Sequence, residues 1–406
     1  MKPVLVVVFV AFSFFITSCA GGKKGGDEGK EVSISGKLLA PDGKTPVANA
    51  TVYIPAESSA SALTAKQGDT CEEPKERYIA WTCTDKEGKF SLKATISGKA
   101  ILKFKKGVFE MYVAVDRDVT NLGNVKLPSD PQKGAPKIAV ATGDYDRMED
   151  VLAKLGFGEI DDQGRLKLST EKFDLYDGND SLGSNYPEFL DLFRDKDGDG
   201  KPDIYKYDIV FINCGNSYER DVFSDQQKVK VLRQYVADGG RLYVTDLSYD
   251  FVEQSFPEFI DFYGSDSTPE ADPETPGAAE VGNSGSTKGD VLDPVLKEWL
   301  KVVDCQNSSG SDVPCLDPSD NKVHIEGFLG SWAVVNGTHP GKASAVKVWV
   351  KGNVSYSYPS ESGEKPLTLT FDFQKGRVLY TSYHTESANI KGFLPQERIL
   401  QYLVFF

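Results

Sequence analysis

The chain has 406 residues, of which 40% are hydrophobic and 26% charged, enough material for two or three domains. A formal charge of −14 excludes a nucleic-acid binder, because a phosphate backbone needs clustered Lys and Arg; it fits a solvated surface instead. All three histidines lie beyond residue 320, so the first two-thirds of the chain has no histidine to offer a zinc site.

Lys2 gives a weakly positive start, and residues 4–16 form an apolar run too short for a membrane-spanning helix but suited to a signal-peptide core. Ile16-Thr17-Ser18-Cys19 follows it and resembles the lipobox of bacterial lipoproteins, in which the cysteine takes a diacylglyceryl group before cleavage. The competing reading is a plain secretory signal that contains a cysteine. The resemblance implies a signal peptide over 1–18, lipidation at Cys19 and anchoring in the cell envelope through the acyl chains. Ala20, in place of Asp, implies the outer membrane if the organism is Gram-negative, on either its periplasmic or its cell-surface face. Residues 19–30 are Gly- and Lys-rich and read as a flexible tether.

Residues 31–128 carry short β-type segments separated by turns, at 32–38, 50–54, 78–82, 90–94, 100–104, 111–115 and 125–127. Strands this short and this closely spaced predict a β-sandwich. Ile34-Ser35-Gly36-Lys37-Leu38, Pro41-Asp42-Gly43, Pro46-Val47 and Thr84-Asp85-Lys86-Glu87-Gly88-Lys89-Phe90 resemble the carboxypeptidase regulatory-like family. That resemblance implies a transthyretin-like sandwich, of the carbohydrate-binding-like fold class, acting as an accessory module. Residues 57–77 depart from the family pattern. Sugar contact requires exposed aromatics on one face, and Tyr53, Tyr78, Trp81, Phe109 and Tyr112 are the candidates, set against the plainer reading that they fill the core. Cys71 with Cys83 and Cys305 with Cys315 are the simplest disulfide pairs in an oxidising compartment, leaving Cys214 over.

Residues 129–136 read as a linker, after which the period changes. A strand at 138–142 leads into a helix with Met148, Val151, Leu152 and Leu155 on one face, stopped by Gly156. Asp195-Lys196-Asp197-Gly198-Asp199-Gly200-Lys201-Pro202-Asp203 places carboxylates at calcium-loop positions with a glycine at the turn. The expected Ca²⁺ ligands are Asp195, Asp197, Asp199, Asp203 and Asp208, bracing an insertion over 195–208; an acidic solvated turn is the alternative. A strand at 207–213, a helix capped near Ser224-Asp225 and a strand at 241–246 follow, and residues 265–289 read as a mobile acidic loop. Residues 347–356 and 367–373 alternate like a hairpin at a sheet edge, 377–383 form a strand, and Pro395 opens a last helix. Alternating strands and helices predict a parallel sheet with helices on both faces over 137–406.

Tyr207-Asp208-Ile209-Val210-Phe211, Tyr235-Val236-Ala237-Asp238-Gly239-Gly240-Arg241-Leu242 and Val378-Leu379-Tyr380-Thr381-Ser382-Tyr383-His384-Thr385-Glu386 resemble the class I glutamine amidotransferase-like superfamily, which includes the ThuA-like proteins. The resemblance implies a flavodoxin-like three-layer fold. Its catalytic members set a nucleophilic cysteine at a strand-to-helix elbow and a His-x-Glu after a late strand. His384 and Glu386 match the second part. At the expected elbow stands Asp246-Leu247-Ser248-Tyr249, without a cysteine, and Cys214 follows the preceding strand. The reading is therefore an envelope-anchored, non-catalytic binding or structural lipoprotein whose partner is a glycan or an envelope protein. The alternative is a hydrolase or amidotransferase-like enzyme using His384 and Glu386 with Cys214 or Ser248.

Overall fold

A computed structural model describes residues 29–56, 71–118, 120–215, 219–264, 273–357, 359–385 and 389–406. The expected signal peptide, Cys19, Glu386 and residues 265–272 of the expected acidic loop lie outside the described residues.

The first part of the chain forms β1 (Lys30–Leu39), β2 (Thr51–Pro55), β3 (Tyr78–Cys83), β4 (Lys89–Ile96), β5 (Lys99–Lys106), β6 (Phe109–Asp116) and β7 (Asn121–Lys126). They make one sheet in the order β4-β1-β7 and a second in the order β3-β2-β5-β6. Alternation explains both: β4 buries every second side chain, and its Phe90 meets Phe104 of β5 edge to face at 5.2 Å between the sheets. Cys71 and Cys83 are bonded, with Cα atoms 5.8 Å apart. The stretch read as a linker holds a single turn, Pro131–Lys133, capped by Asp130 through the Gln132 N–H.

The remainder begins with β8 (Ile138–Ala141), α1 (Met148–Leu152), β9 (Asp174–Tyr176), β10 (Ile209–Ile212), α2 (Glu219–Phe223), α3 (Gln226–Asp238), β11 (Arg241–Thr245) and α4 (Asp250–Glu253). It continues through β12 (Ile260–Phe262), β13 (Val281–Gly282), β14 (Gly285–Val291), α5 (Pro294–Leu300), β15 (Asp304–Gln306), β16 (Asp312–Pro314), β17 (Val323–Phe328), β18 (Trp332–Ala333) and β19 (Val335–Thr338). It closes with β20 (Val346–Tyr356), β21 (Glu361–Phe373), β22 (Gly376–Thr381) and α6 (Pro395–Val404).

The main sheet runs β17-β14-β20-β21-β22-β11-β10-β8-β9. Strands β9, β8, β10, β11 and β22 are mutually parallel, while β21, β20, β14 and β17 pair antiparallel. The sheet is thus mixed, which corrects the expectation of a parallel one. The 347–373 hairpin does not end the sheet but extends it, because both of its edges find partners in β22 and β14. The expected mobile loop is corrected in its second half, where Gly285–Val291 is a strand; its polar sequence carries no strand period, and pairing with β17 and β20 fixes it.

Uninterrupted apolar residues in β8 and β10, and in the 242–244 centre of β11, follow from burial on both faces. One face packs Ile138, Val140, Ile209 and Phe211 with α1 and α6, and the other packs Ala139, Val210, Leu242 and Val378 with α3. Asp225, not Ser224, caps α3, accepting from the Gln227 N–H at 2.9 Å. The first face is continuous with the sandwich core. Phe109 contacts Phe405 (4.8 Å) and Phe157 (6.1 Å), and the Trp299 indole donates to the Pro46 carbonyl at 2.9 Å. Cys305 and Cys315 are also bonded, with Cα atoms 5.2 Å apart, and tie β15 to β16. No helix among the described residues is long and apolar enough to cross a membrane.

Candidate functional site

The carboxyl ends of β8, β10, β11 and β22 converge where the strand order reverses beside β8, the place at which open α/β sheets leave a crevice. The loops after β8 and β10 touch: a Cβ on Gly143 would lie 2.1 Å from the Cys214 carbonyl oxygen, so only glycine fits there. Asp146, on the first of these loops, is buried and accepts from the N–H of Arg147 (2.9 Å) and of Thr385 (2.8 Å), and from the hydroxyls of Thr245 and Thr385. Thr245 in turn accepts from the Cys214 N–H at 2.9 Å. One carboxylate therefore holds the ends of all four strands together.

Asp246 stands directly after β11 with φ +45°, a backbone conformation that Asp tolerates better than most residues. Its carboxylate meets His384 Nδ1 at 2.9 Å, accepts from the Ala333 N–H at 3.3 Å and accepts a hydrogen bond from the Cys214 thiol. Both partners of the His384–Asp246 pair are almost fully buried. Burial pushes the Cys214 thiol well above its ordinary range, and the negative charges of Asp246 and Asp146 push it the same way. A reactive thiol needs the opposite surroundings. Ser248 is buried and gives its hydroxyl proton to the Asn213 carbonyl at 2.8 Å.

The structure thus gathers His384, Cys214 and Ser248 in one region, with Glu386 outside the described residues. Sequence reading missed Asp146, Thr245, Thr385 and Glu149. Glu149 accepts from the Asn213 amide at 2.9 Å and is pushed up to about 7, by burial first and by Asp150 second, against Arg147. The available signal was position: Thr245 and Asp246 stand at the carboxyl end of a predicted strand.

In the acidic loop the carboxylate oxygens of Asp195, Asp197 and Asp199 lie within 4.8 Å of one another, all three exposed. Asp195 accepts from the N–H groups of Gly198 (2.7 Å), Asp199 (3.1 Å) and Gly200 (2.9 Å), which wraps the loop around it. Asp203 and Asp208 stand outside this cluster. Asp203 accepts from the Lys196 N–H (3.1 Å) and pairs with Lys206 (2.7 Å), and Asp208 accepts from the Lys137 N–H (2.8 Å) at the start of β8. Lys206 also pairs with Asp197 at 2.9 Å, so an ammonium already offsets part of the charge.

On the sandwich, register sets Trp81 opposite Tyr53, Tyr53 opposite Lys103 and Lys103 opposite Tyr112, a row across the outer face of the four-stranded sheet. Lys103 lies over the rings of Tyr53 (5.6 Å) and Tyr112 (5.4 Å) and pairs with Glu76 (3.1 Å) and Glu110 (3.2 Å). Tyr112 is 59% exposed, with Ile79 and Ile101 also exposed beside the row; Tyr78 and Trp81 are half-buried. Of the other candidate aromatics, Tyr53 is covered and Phe109 belongs to the core that joins the two halves.

No family model matches the chain, and no curated protein does. Among solved structures, a ThuA-like protein from Parabacteroides merdae is similar at 12% identity and a TM-score of 0.33, over 66% of this chain and 87% of that one. A cytoplasmic protein of Salmonella typhimurium is similar at 14% identity and a TM-score of 0.30, over 61% and 87%. A β-galactosidase from G. stearothermophilus is similar at 12% identity and a TM-score of 0.26, over 68% and 30%. Likeness at this level assigns the chain neither a family nor an activity.

Proposed function

We propose that this chain is a non-catalytic binding lipoprotein of the cell envelope, anchored through Cys19, that recognises a glycan on the outer face of the four-stranded sandwich sheet. The observation that carries the reading is the Trp81–Tyr53–Lys103–Tyr112 row, three rings about one lysine that pairs with Glu76 and Glu110, exposed at its Tyr112 end beside Ile79 and Ile101. Rings stack on the C–H faces of sugars, and Glu76 and Glu110 accept from hydroxyls. The order of the five parallel strands supports a flavodoxin-like layering of the second half. Under this reading the crevice at Asp246 is structural, since Cys214 and Ser248 already donate hydrogen bonds to Asp246 and to a carbonyl.

A glycan array probed with the chain tests the reading. Binding is expected, and the Trp81→Ala/Tyr112→Ala double variant is expected to lose it at least tenfold without unfolding; binding indifferent to that change would sink the proposal. Cys214 is expected to resist iodoacetamide until the chain is denatured, whereas the enzyme reading with a Cys214 nucleophile requires rapid alkylation of the folded protein. Palmitate labelling that disappears in Cys19→Ala tests the anchor. We also assign Ca²⁺ to the three clustered carboxylates as a loop brace. Calcium should raise the melting temperature of the chain and leave that of Asp195→Asn unchanged.

A further inference from the structure

The main sheet splits where β14 leaves β20. The two strands pair over Gly289–Val291, and beyond that point β20 takes β13 as its neighbour, through Gly282 opposite Tyr356. Residues 283–288 cross the gap, held by the Thr287 hydroxyl on the Asn353 carbonyl (2.7 Å) and by the Asn283 N–H on the Ser355 carbonyl (2.9 Å). The opening is a pocket of about 240 Å³.

Its wall is chemically uniform. Ser284, Ser286, Ser355 and Ser362, with Asn283 and Asn353, supply six hydroxyl or carboxamide side chains beside Val354, and among the described residues no ionisable side chain lines it. Phe328 and Trp332 form the floor, their ring centroids 5.0 Å apart. The Trp332 indole N–H is given to the Asn283 carbonyl at 3.0 Å, so the floor offers carbon surface. Gly282 is required for this floor, because a Cβ there would lie 1.8 Å from the Trp332 ring. The Asn283 amide is steered by the Ser355 (2.9 Å) and Ser360 (3.2 Å) hydroxyls, which leaves its carboxamide oxygen as an acceptor.

An ion entering this pocket would shed water with no counter-charge to replace it, and an apolar guest would strip water from six polar groups without bonding them. A guest that suits the wall is uncharged, donates and accepts at many points, and has a carbon face for the floor. The volume, below the roughly 300 Å³ at which drug-sized sites begin, limits the guest to about one ring. We infer that this split in the sheet is a second binding site, separate from the sandwich face, for a single neutral sugar residue such as a glycan terminus. It rests on the binding-protein reading but not on the sandwich row.

The test is titration calorimetry of the full chain with the methyl glycosides of glucose, galactose, mannose and N-acetylglucosamine, with glucuronate and glucosamine as charged counterparts. Saturable binding of at least one neutral glycoside is expected, weakened at least fivefold by Asn353→Ala and by Ser286→Ala with unchanged melting temperature. Trp81→Ala/Tyr112→Ala should leave it intact. The inference is overturned if no neutral glycoside saturates, if a charged sugar binds as well, or if binding survives both pocket variants. Loss of binding in the sandwich variant alone also overturns it and assigns the sugar to the other face. Asn353→Ser serves as the conservative control should Asn353→Ala fail to fold.

Discussion

Asp146 shows how much a single buried side chain decides here. It takes four donors from three segments, and their alternative partner, water, is excluded. Replacing it by Ala leaves buried donors unpaired, which costs about 3 kcal/mol or more. Asn retains one acceptor oxygen and should lose about half as much. Urea denaturation of Asp146→Ala and Asp146→Asn measures the difference, and equal stability of both with the parent would refute the hub. Nothing in the local sequence Asp144-Tyr145-Asp146-Arg147 separates this aspartate from its exposed neighbour Asp144. Its partners arrive from Thr245 and Thr385, far along the chain, so its role was not legible before folding. Asp246 was half legible: its place after a strand pointed to the elbow, but its positive φ and its bond to His384 come from the turn and from β22.

At the scale of elements, the β15–β16 hairpin fixes the entry to α6. The Gln306 N–H donates to the Phe393 carbonyl at 2.7 Å, and Arg398 donates to the Asp304 carbonyl at 2.8 Å. Its disulfide closes a short loop, and the chain-entropy relation gives about 3 kcal/mol for a loop of this length. Cys305→Ser/Cys315→Ser should lower stability by that amount in denaturant titration, and a change within error would show the hairpin to be held by its contacts alone. The strands of the sandwich were legible because each alternates over a half-buried sheet. The strands β8 and β10, and the centre of β11, were legible because burial on both faces demands apolar runs. β14 was not, since Gly, Ser, Thr and Lys have no strand period and the neighbours β17 and β20 supply the pairing.

For the whole molecule, buried acids set the response to pH. Glu149, Asp250 and Glu253 are each raised to about 7 from ordinary values of 4.5, 3.8 and 4.5, in every case by burial first. Asp250 and Glu253 accept from the Gly277 (2.9 Å) and Glu274 (2.6 Å) N–H groups and so hold the segment that leads into β13. Between about pH 4 and pH 7 the folded chain keeps protons that the unfolded chain has released. Stability therefore falls as pH rises through that window, by up to about 1.4 kcal/mol per pH unit for each group, and levels above it. Melting temperatures from pH 5 to pH 8 should decline, and the slope should flatten in Glu149→Gln/Asp250→Asn/Glu253→Gln. A rising profile would overturn the assignment.

The sequence by itself determined the strands of the sandwich and the central strands of the α/β half, and it offered the pairs of cysteines near each other in the chain. These rest on periodicity, turn chemistry and short separations, all of which are local. Only the tertiary structure decided that the sheet is mixed, that sandwich and α/β half share one core through Phe109 and Trp299, and that Asp146 and Asp246 hold the crevice shut around Cys214 and His384. Those features depend on pairings and contacts between separate elements, whose burial and partners exist only once the chain has closed on itself.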